Sequence, residues 1–239
     1  MIELKHRLIV TIDGPAGTGK SSVAQDLANA LSLEFLDTGA MYRAATALAL
    51  DAGIPVDDGL QVSRLVRRAD LRFDWNHDPP TLFAQGRDMT ERVRDADVNA
   101  NVSIVASLPE VRTVLVEAQR RIGEAHPFLV SEGRDQGSVV FHDARVKFFL
   151  DATVEVRAKR RAAQLRDMGR ESEADESAIA EQIAERDRID STRAIGPLCC
   201  PSDAQVVDTS ALTQDQVVGA LIDHVRARVP ERAPHGVGA

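Results

Sequence analysis

Apolar residues along the chain fall into short runs that alternate with stretches of helical spacing. The runs predict strands at residues 8–12, 34–36, 128–130, 146–150 and 204–207. Helical spacing of apolar residues covers 21–31, 109–122, 154–168 and 214–229. Strands that are almost wholly apolar and alternate with helices predict an α/β fold, with a parallel sheet covered on both faces. Ligands of such sheets gather at the carboxyl ends of the strands.

One region departs from this alternation. Residues 70–75 alternate apolar and polar, residues 76–80 carry turn formers, and the apolar run resumes at 81–85, which predicts a hairpin. We therefore predict an insert on the main sheet over about 57–106. The charged stretch 166–177 predicts a mobile loop between two helices. Residues 230–239, which contain Pro and Gly without periodicity, predict a disordered tail.

Composition narrows the class of protein. With 239 residues, 44% of them hydrophobic, the chain exceeds the apolar content of disordered proteins. A net charge of −8 argues against nucleic-acid and anionic-membrane partners. The two cysteines, Cys199 and Cys200, are adjacent, so they cannot support a fold held together by disulfides. The sequence has no apolar core of a signal peptide and no apolar segment long enough to span a membrane. We expect a cytoplasmic monomer.

The strongest motif follows the first predicted strand and precedes the first predicted helix. It consists of Gly14, Pro15, Ala16, Gly17, Thr18, Gly19, Lys20 and Ser21, and we include Ser22 with it as ATP-binding. This is the pattern of a phosphate-binding loop, in which backbone N–H groups and a helix N-terminus hold an anion. Lys20 is expected to reach the β- and γ-phosphates, and the Ser21 hydroxyl is expected to ligate Mg²⁺.

The loop alone does not distinguish a switch, a motor and a kinase. No Asn-Lys-x-Asp segment of a small GTPase is present, and Asp151, after the apolar run 148–150, is only a partial candidate for the acidic strand end of a motor ATPase. Guanidinium groups pair bidentately with phosphate oxygens, so a set of arginines near strand ends and in helices favours transfer to a phosphorylated acceptor. The set comprises Arg43, Arg134, Arg157, Arg160, Arg161, Arg186, Arg188 and Arg193.

Three further segments complete a family pattern. They are Asp-Thr-Gly-Ala-Met-Tyr-Arg at 37–43, Glu-Gly-Arg-Asp at 132–135 and Asp-Ser-Thr-Arg-Ala-Ile-Gly-Pro-Leu at 190–198. With the loop, the chain resembles the bacterial cytidylate kinases from about residue 8 to 229. The resemblance implies a P-loop three-layer fold, with a kinase domain at 1–229 that contains a small CMP-binding insert at 57–106 and a short lid at 157–177. It also implies phosphorylation of CMP and dCMP by ATP with Mg²⁺.

The resemblance also assigns site residues. Those implied for substrate binding are Thr38, Tyr42, Arg43, Ser103, Arg112, Arg134, Asp135, Arg186, Asp190 and Arg193. Among them Ser103, Arg112 and Asp135 would read cytosine, because a carboxylate can accept from the exocyclic amine. The residues implied as catalytic are Lys20, Arg157, Arg161 and Arg193. Arg157 and Arg161 lie four residues apart on a predicted helix and would close over the ATP phosphates.

Three positions depart from the family pattern, and two other functions stay open. Glu132 stands where Asp is common, Gln136 where an apolar residue is typical, and His142 where Pro is usual. The Gln136 amide could bond the base or Asp135, which leaves base selectivity open. The alternatives are a kinase of another small acceptor, such as UMP, dTMP or shikimate, and a nucleotide-dependent binding or switch protein.

Overall fold

The computed structural model describes residues 7–229, so the tail predicted at 230–239 lies outside the described residues. The strands are β1 (Leu8–Asp13), β2 (Glu34–Asp37), β3 (Arg72–Asp74), β4 (Thr81–Ala84), β5 (Arg87–Asp88), β6 (Phe128–Glu132), β7 (Val146–Asp151) and β8 (Gln205–Asp208). The helices are α1 (Lys20–Leu31), α2 (Thr38–Asp51), α3 (Gly59–Arg68), α4 (Ala96–Ser107), α5 (Pro109–Ala125), α6 (Val154–Asp167), α7 (Glu176–Thr192) and α8 (Gln214–Arg228). Every strand and helix predicted from periodicity is confirmed within a few residues.

The main sheet has five strands in the order β2-β6-β1-β7-β8, and every pairing is parallel. Its central strand, β1, is buried along its whole length, and Val10 pairs with Val130 on one side and Val146 on the other. The parallel register brings the last residues of β1, β6 and β2 to one edge, namely Asp13, Glu132 and Asp37. This edge is where the sequence places ligands.

Helices cover both faces of the sheet and complete three layers. Leu27 of α1 and Leu221 of α8 share one apolar cluster with the sheet. On the opposite face, Met41 of α2 and Leu115 of α5 pack against Leu36. The three-layer α/β fold is thus confirmed. None of the helices within residues 7–229 combines the length and apolar content needed to cross a membrane.

The predicted hairpin is present and carries one strand more than the sequence indicated. β3 and β4 pair antiparallel, and the two-residue β5 adds a third strand to β4. Leu82 of β4 and Met89, the residue after β5, pack with Leu48 of α2. The hairpin turn is bonded to α1, because Asp78 accepts hydrogen bonds from Gln25 (3.0 Å) and Asn29 (2.9 Å).

A short connection joins α6 to α7, as the sequence predicted. It contains one 3-10 turn at Glu171–Glu173. Ala162 and Leu165 of α6 pack with Ile179 and Ile183 of α7 in an apolar cluster of their own. This helix pair therefore has a small core separate from the two that flank the sheet.

Candidate active site

The phosphate-binding loop runs from the end of β1 to the start of α1. Gly14 turns the chain with a φ of +147°, and a Cβ atom there would overlap the carbonyl of Leu150 on β7. Only glycine allows the loop to leave the sheet so close to the neighbouring strand. The strand, loop and helix that the motif requires are all in place.

Lys20 is a buried cation within the loop. Its side chain is 5% exposed, and its Nζ donates to the Pro15 carbonyl at 2.7 Å. Burial lowers the pKa of Lys20, and the charge of Arg134 lowers it further, although Glu132 acts in the opposite direction. The ammonium group has no carboxylate within ion-pair distance among residues 7–229, so a bound anion would relieve the burial of its charge.

Glu132, at the end of β6, is a site residue that sequence reasoning missed. Ser21 Oγ donates to its Oε1 at 2.8 Å, and Thr38 Oγ1 donates to its backbone carbonyl at 2.7 Å. Burial raises the pKa of the Glu132 carboxyl, with a further contribution from Asp37. The sequence had offered Asp151 as the acid closing an apolar strand, but Asp151 is exposed at the end of β7. The usable signal was the apolar run before Glu132.

Ser21 and Glu132 also decide whether the loop fits Mg²⁺. Residues 7–229 contain no group of three or more His, Cys, Asp or Glu side chains able to hold a metal ion by themselves. Mg²⁺ in nucleotide sites usually takes one or two protein oxygens and completes its shell with phosphates and water. One hydroxyl and one carboxylate 2.8 Å apart match that donor set.

A second group of charged side chains lies beside the loop, and we call it the acceptor cluster. It consists of Arg134, Asp190, Arg193, Asp135 and Arg112. Arg134 Nε donates to Asp190 Oδ2 at 3.1 Å, and Arg193 lies 3.8 Å from Asp190 Oδ1 and 3.7 Å from Asp135 Oδ1. Asp135 Oδ2 accepts from Arg112 Nη2. Arg112 and Asp135 are only 2% and 3% exposed, so each charge is balanced by a neighbour inside the protein.

Gly196 and Tyr42 form further walls of the acceptor cluster. Gly196 has a φ of +58°, and a Cβ atom there would overlap both Arg112 and Asp135. Its carbonyl accepts a hydrogen bond from Arg193 Nε. The ring centre of Tyr42 lies 5.8 Å from the Arg112 guanidinium carbon, and burial raises the pKa of Tyr42 to about 12. The segment 190–198 thus folds over the Arg112 and Asp135 pair.

Three cations meet where the loop adjoins the acceptor cluster, and we call Lys20, Arg134 and Arg186 the cationic seam. Burial lowers the pKa of Arg186 to about 10, and the charge of Arg134 lowers it further. The same Arg134 charge lowers the pKa of Lys20. Arg186 Nε is buried and has no hydrogen-bond partner within residues 7–229. The mutual repulsion of these groups would be relieved by a polyanion.

Arg157 braces the loop from α6. Its Nη1 donates to the Ala16 carbonyl at 2.9 Å and to Asp187 Oδ2 at 2.6 Å, while Asp187 Oδ1 accepts from the Ala16 N–H at 3.3 Å. Sequence reasoning missed Asp187. Arg161, expected to act beside Arg157, instead bonds the Gln164 side chain at 2.7 Å. The structure thus places Arg157 on the loop, whereas burial lowers the pKa of the half-buried Arg161 and the charges of Arg170 and Arg43 lower it further.

The other predicted residues are distributed unevenly around the site. Arg43 lies 3.8 Å from Asp37 at the start of α2, and Ser22 is exposed on α1. Ser103, on α4, makes no side-chain hydrogen bond within the described chain and does not pair with Arg112 or Asp135 there. Of the remaining arginines, Arg160 bonds Thr209 and Arg188 bonds Glu185, so neither joins the acceptor cluster.

Gln136 turns away from Asp135. Its backbone N–H donates to Asp13 Oδ1 at 2.8 Å, and its side chain bonds Ser131 and Gln119. Asp13 also accepts from Gly137 N–H, and burial raises the pKa of Asp13 to about 6. These bonds begin a single π-helical turn at Gln136–Val140 that the sequence did not predict.

Comparisons with known proteins agree with this geometry. A family model described as cytidylate kinase matches residues 10–227. A cytidylate kinase of Mycobacterium avium (strain 104) is 45% identical over 226 residues, which cover 92% of this chain and 96% of that protein. One of Shouchella clausii (strain KSM-K16) is 43% identical over 217 residues, covering 91% and 95%. A solved structure of an uncharacterized protein from Eubacterium ventriosum ATCC 27560 aligns with a TM-score of 0.50 at 11% identity over 92% of this chain and 99% of that one, and shows the fold alone.

Proposed function

The chain belongs to the cytidylate kinase family, and on that premise we propose that it transfers the γ-phosphoryl group of Mg-ATP to CMP and dCMP, giving CDP and dCDP. The cationic seam is the observation that carries this proposal. It lies between a loop suited to a nucleoside triphosphate and a cluster suited to a second phosphorylated molecule. Two phosphate groups that meet there would be neutralised by Lys20, Arg134 and Arg186.

The donor side of the proposal rests on the loop and the start of α1. Backbone N–H groups at residues 17–21 and the positive end of α1 suit the β-phosphate of ATP, and Lys20 would move from the Pro15 carbonyl to the β- and γ-phosphates. Arg157 and Asp187 would keep the loop in shape for this contact. We propose that residues 157–177 act as the lid, and that Arg157 and Arg161 close with it over the ATP phosphates.

The acceptor side rests on the acceptor cluster. Asp135 can accept from the exocyclic amine of cytosine, and Arg112 supplies donors for the ring acceptors. Uracil has no amine at this position. We propose that the remaining contacts come from the insert at 57–106 with Ser103, and from the core. In the core, Arg43 and Arg134 would hold the phosphate, Arg193 would contact the transferring group, and Thr38 and Tyr42 would form the pocket wall. Arg186 would bind the ribose together with Asp190, in addition to its contribution to the cationic seam.

The chemistry requires positioning and charge neutralisation more than proton transfer. A phosphate monoester has a second pKa of about 6, so CMP is largely a dianion at neutral pH and attacks without a general base. The cationic seam would stabilise the charge shared by the attacking and leaving oxygens. Mg²⁺ bound with ATP would neutralise the β- and γ-phosphates, and Ser21 and Glu132 are the residues that would hold it. Closure of the lid would exclude water and suppress hydrolysis of ATP.

The proposal is tested by steady-state ADP formation from Mg-ATP with CMP, dCMP, UMP, AMP, GMP and dTMP offered separately, and with no acceptor as the control. We expect fast turnover with CMP and dCMP, and slow hydrolysis without an acceptor. Fast turnover with UMP would overturn the role given to Asp135. ATP binding without turnover on any monophosphate would favour a switch or binding protein.

Two further predictions concern the state of the protein. Cys199 and Cys200 are both free and exposed, which fits a reducing compartment, and we propose that the protein acts in the cytoplasm. The monomeric state stays a prediction. Sedimentation velocity over a range of protein concentrations checks it, because a monomer keeps one sedimentation coefficient after extrapolation to zero concentration.

A further inference from the structure

Asp13, the last residue of β1, is a buried carboxylate to which the proposed chemistry assigns no role. It is 1% exposed, and its two oxygens accept from two successive backbone N–H groups. Oδ1 accepts from the Gln136 N–H at 2.8 Å, and Oδ2 accepts from the Gly137 N–H at 2.7 Å. Because hydrogen bonds to a charged acceptor are short and strong, two of them fix both the position and the direction of the segment that donates them.

The segment that Asp13 holds carries two members of the acceptor cluster. It consists of residues 133–137, which follow β6 and include Arg134 and Asp135. The first N–H of the segment donates to the Ile12 carbonyl at 3.0 Å. The segment is therefore bonded to the end of β1 at both of its own ends.

The contact between β1 and this segment is also closely packed. A Cβ atom at Gly137 would overlap Thr11 Oγ1, so only glycine lets the chain approach β1 this closely. The Gln136 side chain is fixed as well, because it accepts from Ser131 and donates to Gln119. The segment is thus fitted to β1 by its shape as well as by hydrogen bonds.

The chain itself joins Asp13 to the donor side of the site. The next residue, Gly14, begins the phosphate-binding loop and turns closely against the Leu150 carbonyl on β7. One residue therefore carries the start of the loop on its main chain and the segment of the acceptor cluster on its side chain. A change in the length or the hydrogen bonding of this side chain would shift Lys20 relative to Arg134.

We propose that Asp13 is a positioning residue that sets the separation between the phosphate-binding loop and the acceptor cluster, and so aligns the two phosphate groups for transfer. It rests on the proposed function for its reaction. Transfer depends steeply on geometry, since a displacement of about 1 Å caused far from the chemistry can lower the rate about a hundred-fold.

The role of Asp13 concerns kcat rather than the affinity for either nucleotide. If the segment shifts, Asp135 keeps its ion pairs with Arg112 and Arg193. The loop likewise keeps its own residues. Each nucleotide therefore still meets a site with all of its groups, but the two phosphate groups no longer meet in line.

The test compares Asp13→Asn with wild type and with Asp223→Asn, which makes the same change at an exposed position of α8. Asn keeps one acceptor oxygen, but its NH₂ group faces the second backbone N–H, so one of the two bonds is lost. The first readout is steady-state kinetics, with kcat, KM for CMP and KM for ATP measured separately. We express kcat per ATP-binding site counted by calorimetric titration, so that unfolded molecules do not lower it. The second readout is hydrogen exchange of the Gln136 and Gly137 amides without any nucleotide.

We expect Asp13→Asn to lower kcat about a hundred-fold, with both KM values almost unchanged. Exchange of one of the two amides should become about ten-fold faster, the effect of one lost hydrogen bond. Asp223→Asn should match wild type in every value. The proposal is overturned by an unchanged kcat, by unchanged exchange of both amides, or by a KM for either nucleotide that rises as far as kcat falls.

A second variant covers the case in which Asp13→Asn does not fold. Asp13→Glu keeps both oxygens and the charge but adds one methylene, so it displaces the segment instead of releasing it. We expect the same fall in kcat with both KM values retained, and a wild-type kcat in Asp13→Glu would contradict the role in alignment. If the wild type used neither CMP nor dCMP, the proposed function would fail, whereas amide exchange would still decide whether Asp13 holds the segment.

Discussion

The phosphate-binding loop and the acceptor cluster lie side by side, yet they are built in different ways. The loop is eight consecutive residues that follow one strand and end in the first turn of one helix, and its cation Lys20 has no carboxylate partner in ion-pair distance within the described chain. The acceptor cluster draws on α5, the end of β6 and α7, and each of its charges faces an opposite one. A contiguous motif can therefore keep an uncompensated charge for its ligand, whereas an assembled cluster must balance its charges to fold.

Because of this difference, a variant of the loop should lose activity alone, whereas a variant of the acceptor cluster should lose both activity and stability. Removal of Lys20 takes away a charge whose burial opposes folding, so the fold should tolerate it. Removal of one member of the acceptor cluster leaves buried charges without partners, so the fold and the activity should suffer together.

Lys20→Met should lower turnover with CMP by about a thousand-fold, because the γ-phosphoryl group would lose its principal cation. The unfolding free energy in urea should not fall. Lys159→Met, at an exposed position of α6, is the matched control and should leave both quantities unchanged. If Lys20→Met lost as much unfolding free energy as an acceptor-cluster variant, the loop and the acceptor cluster would not differ in their contribution to stability.

Asp135→Asn should lower the unfolding free energy by about 3 kcal/mol, because Arg112 and Arg193 would lose their shared anion. Turnover with CMP should fall with it. Asp143→Asn breaks the exposed pair with Arg7, which are 61% and 44% exposed, and should cost less than about 1 kcal/mol. Equal losses of unfolding free energy in the two variants would show that the buried ion pairs of the acceptor cluster stabilise the protein no more than an exposed pair does.

Gly196→Ala should lower the unfolding free energy by about 2 kcal/mol and raise KM for CMP, because the added methyl group overlaps Arg112 and Asp135. Gly219→Ala provides the comparison, since a Cβ atom on this residue of α8 meets nothing within 4 Å. That control should stabilise the protein by about 1 kcal/mol, because alanine is the better helix former. An unchanged KM for CMP in Gly196→Ala would show that residue 196 does not line the pocket that binds the base.

The pH dependence of stability should differ between wild type and Lys20→Met. The pKa of Lys20 is lowered from its ordinary value of 10.5 to about 7 in the folded protein. Between pH 7 and pH 10.5 the unfolded chain therefore binds more protons than the folded one. Stability from this group therefore rises with pH across that window. The wild type should gain stability relative to Lys20→Met between about pH 8 and about pH 10 in urea titrations. Parallel curves would mean that Lys20 titrates normally in the folded protein.

The sequence predicted the loop and the main sheet because their signals are local. Apolar runs defined β1 and β6, and the glycines, Lys20 and Ser21 stood in a fixed spacing. Arg112, Asp135 and Arg193 could be assigned only through the resemblance to a family, since no spacing in the chain predicts that they meet. Asp187 and Gln119 escaped notice because each matters through one tertiary contact, with Arg157 and with Gln136 respectively.

Calorimetric titration of ATP and of CMP into wild type, Lys20→Met and Asp135→Asn shows whether the loop and the acceptor cluster bind different nucleotides. The titrations are run at a temperature at which all three proteins are folded by circular dichroism. We expect a crossed pattern, in which Lys20→Met loses affinity for ATP but keeps its affinity for CMP, and Asp135→Asn loses affinity for CMP but keeps its affinity for ATP. Equal loss of both affinities in Asp135→Asn would contradict it.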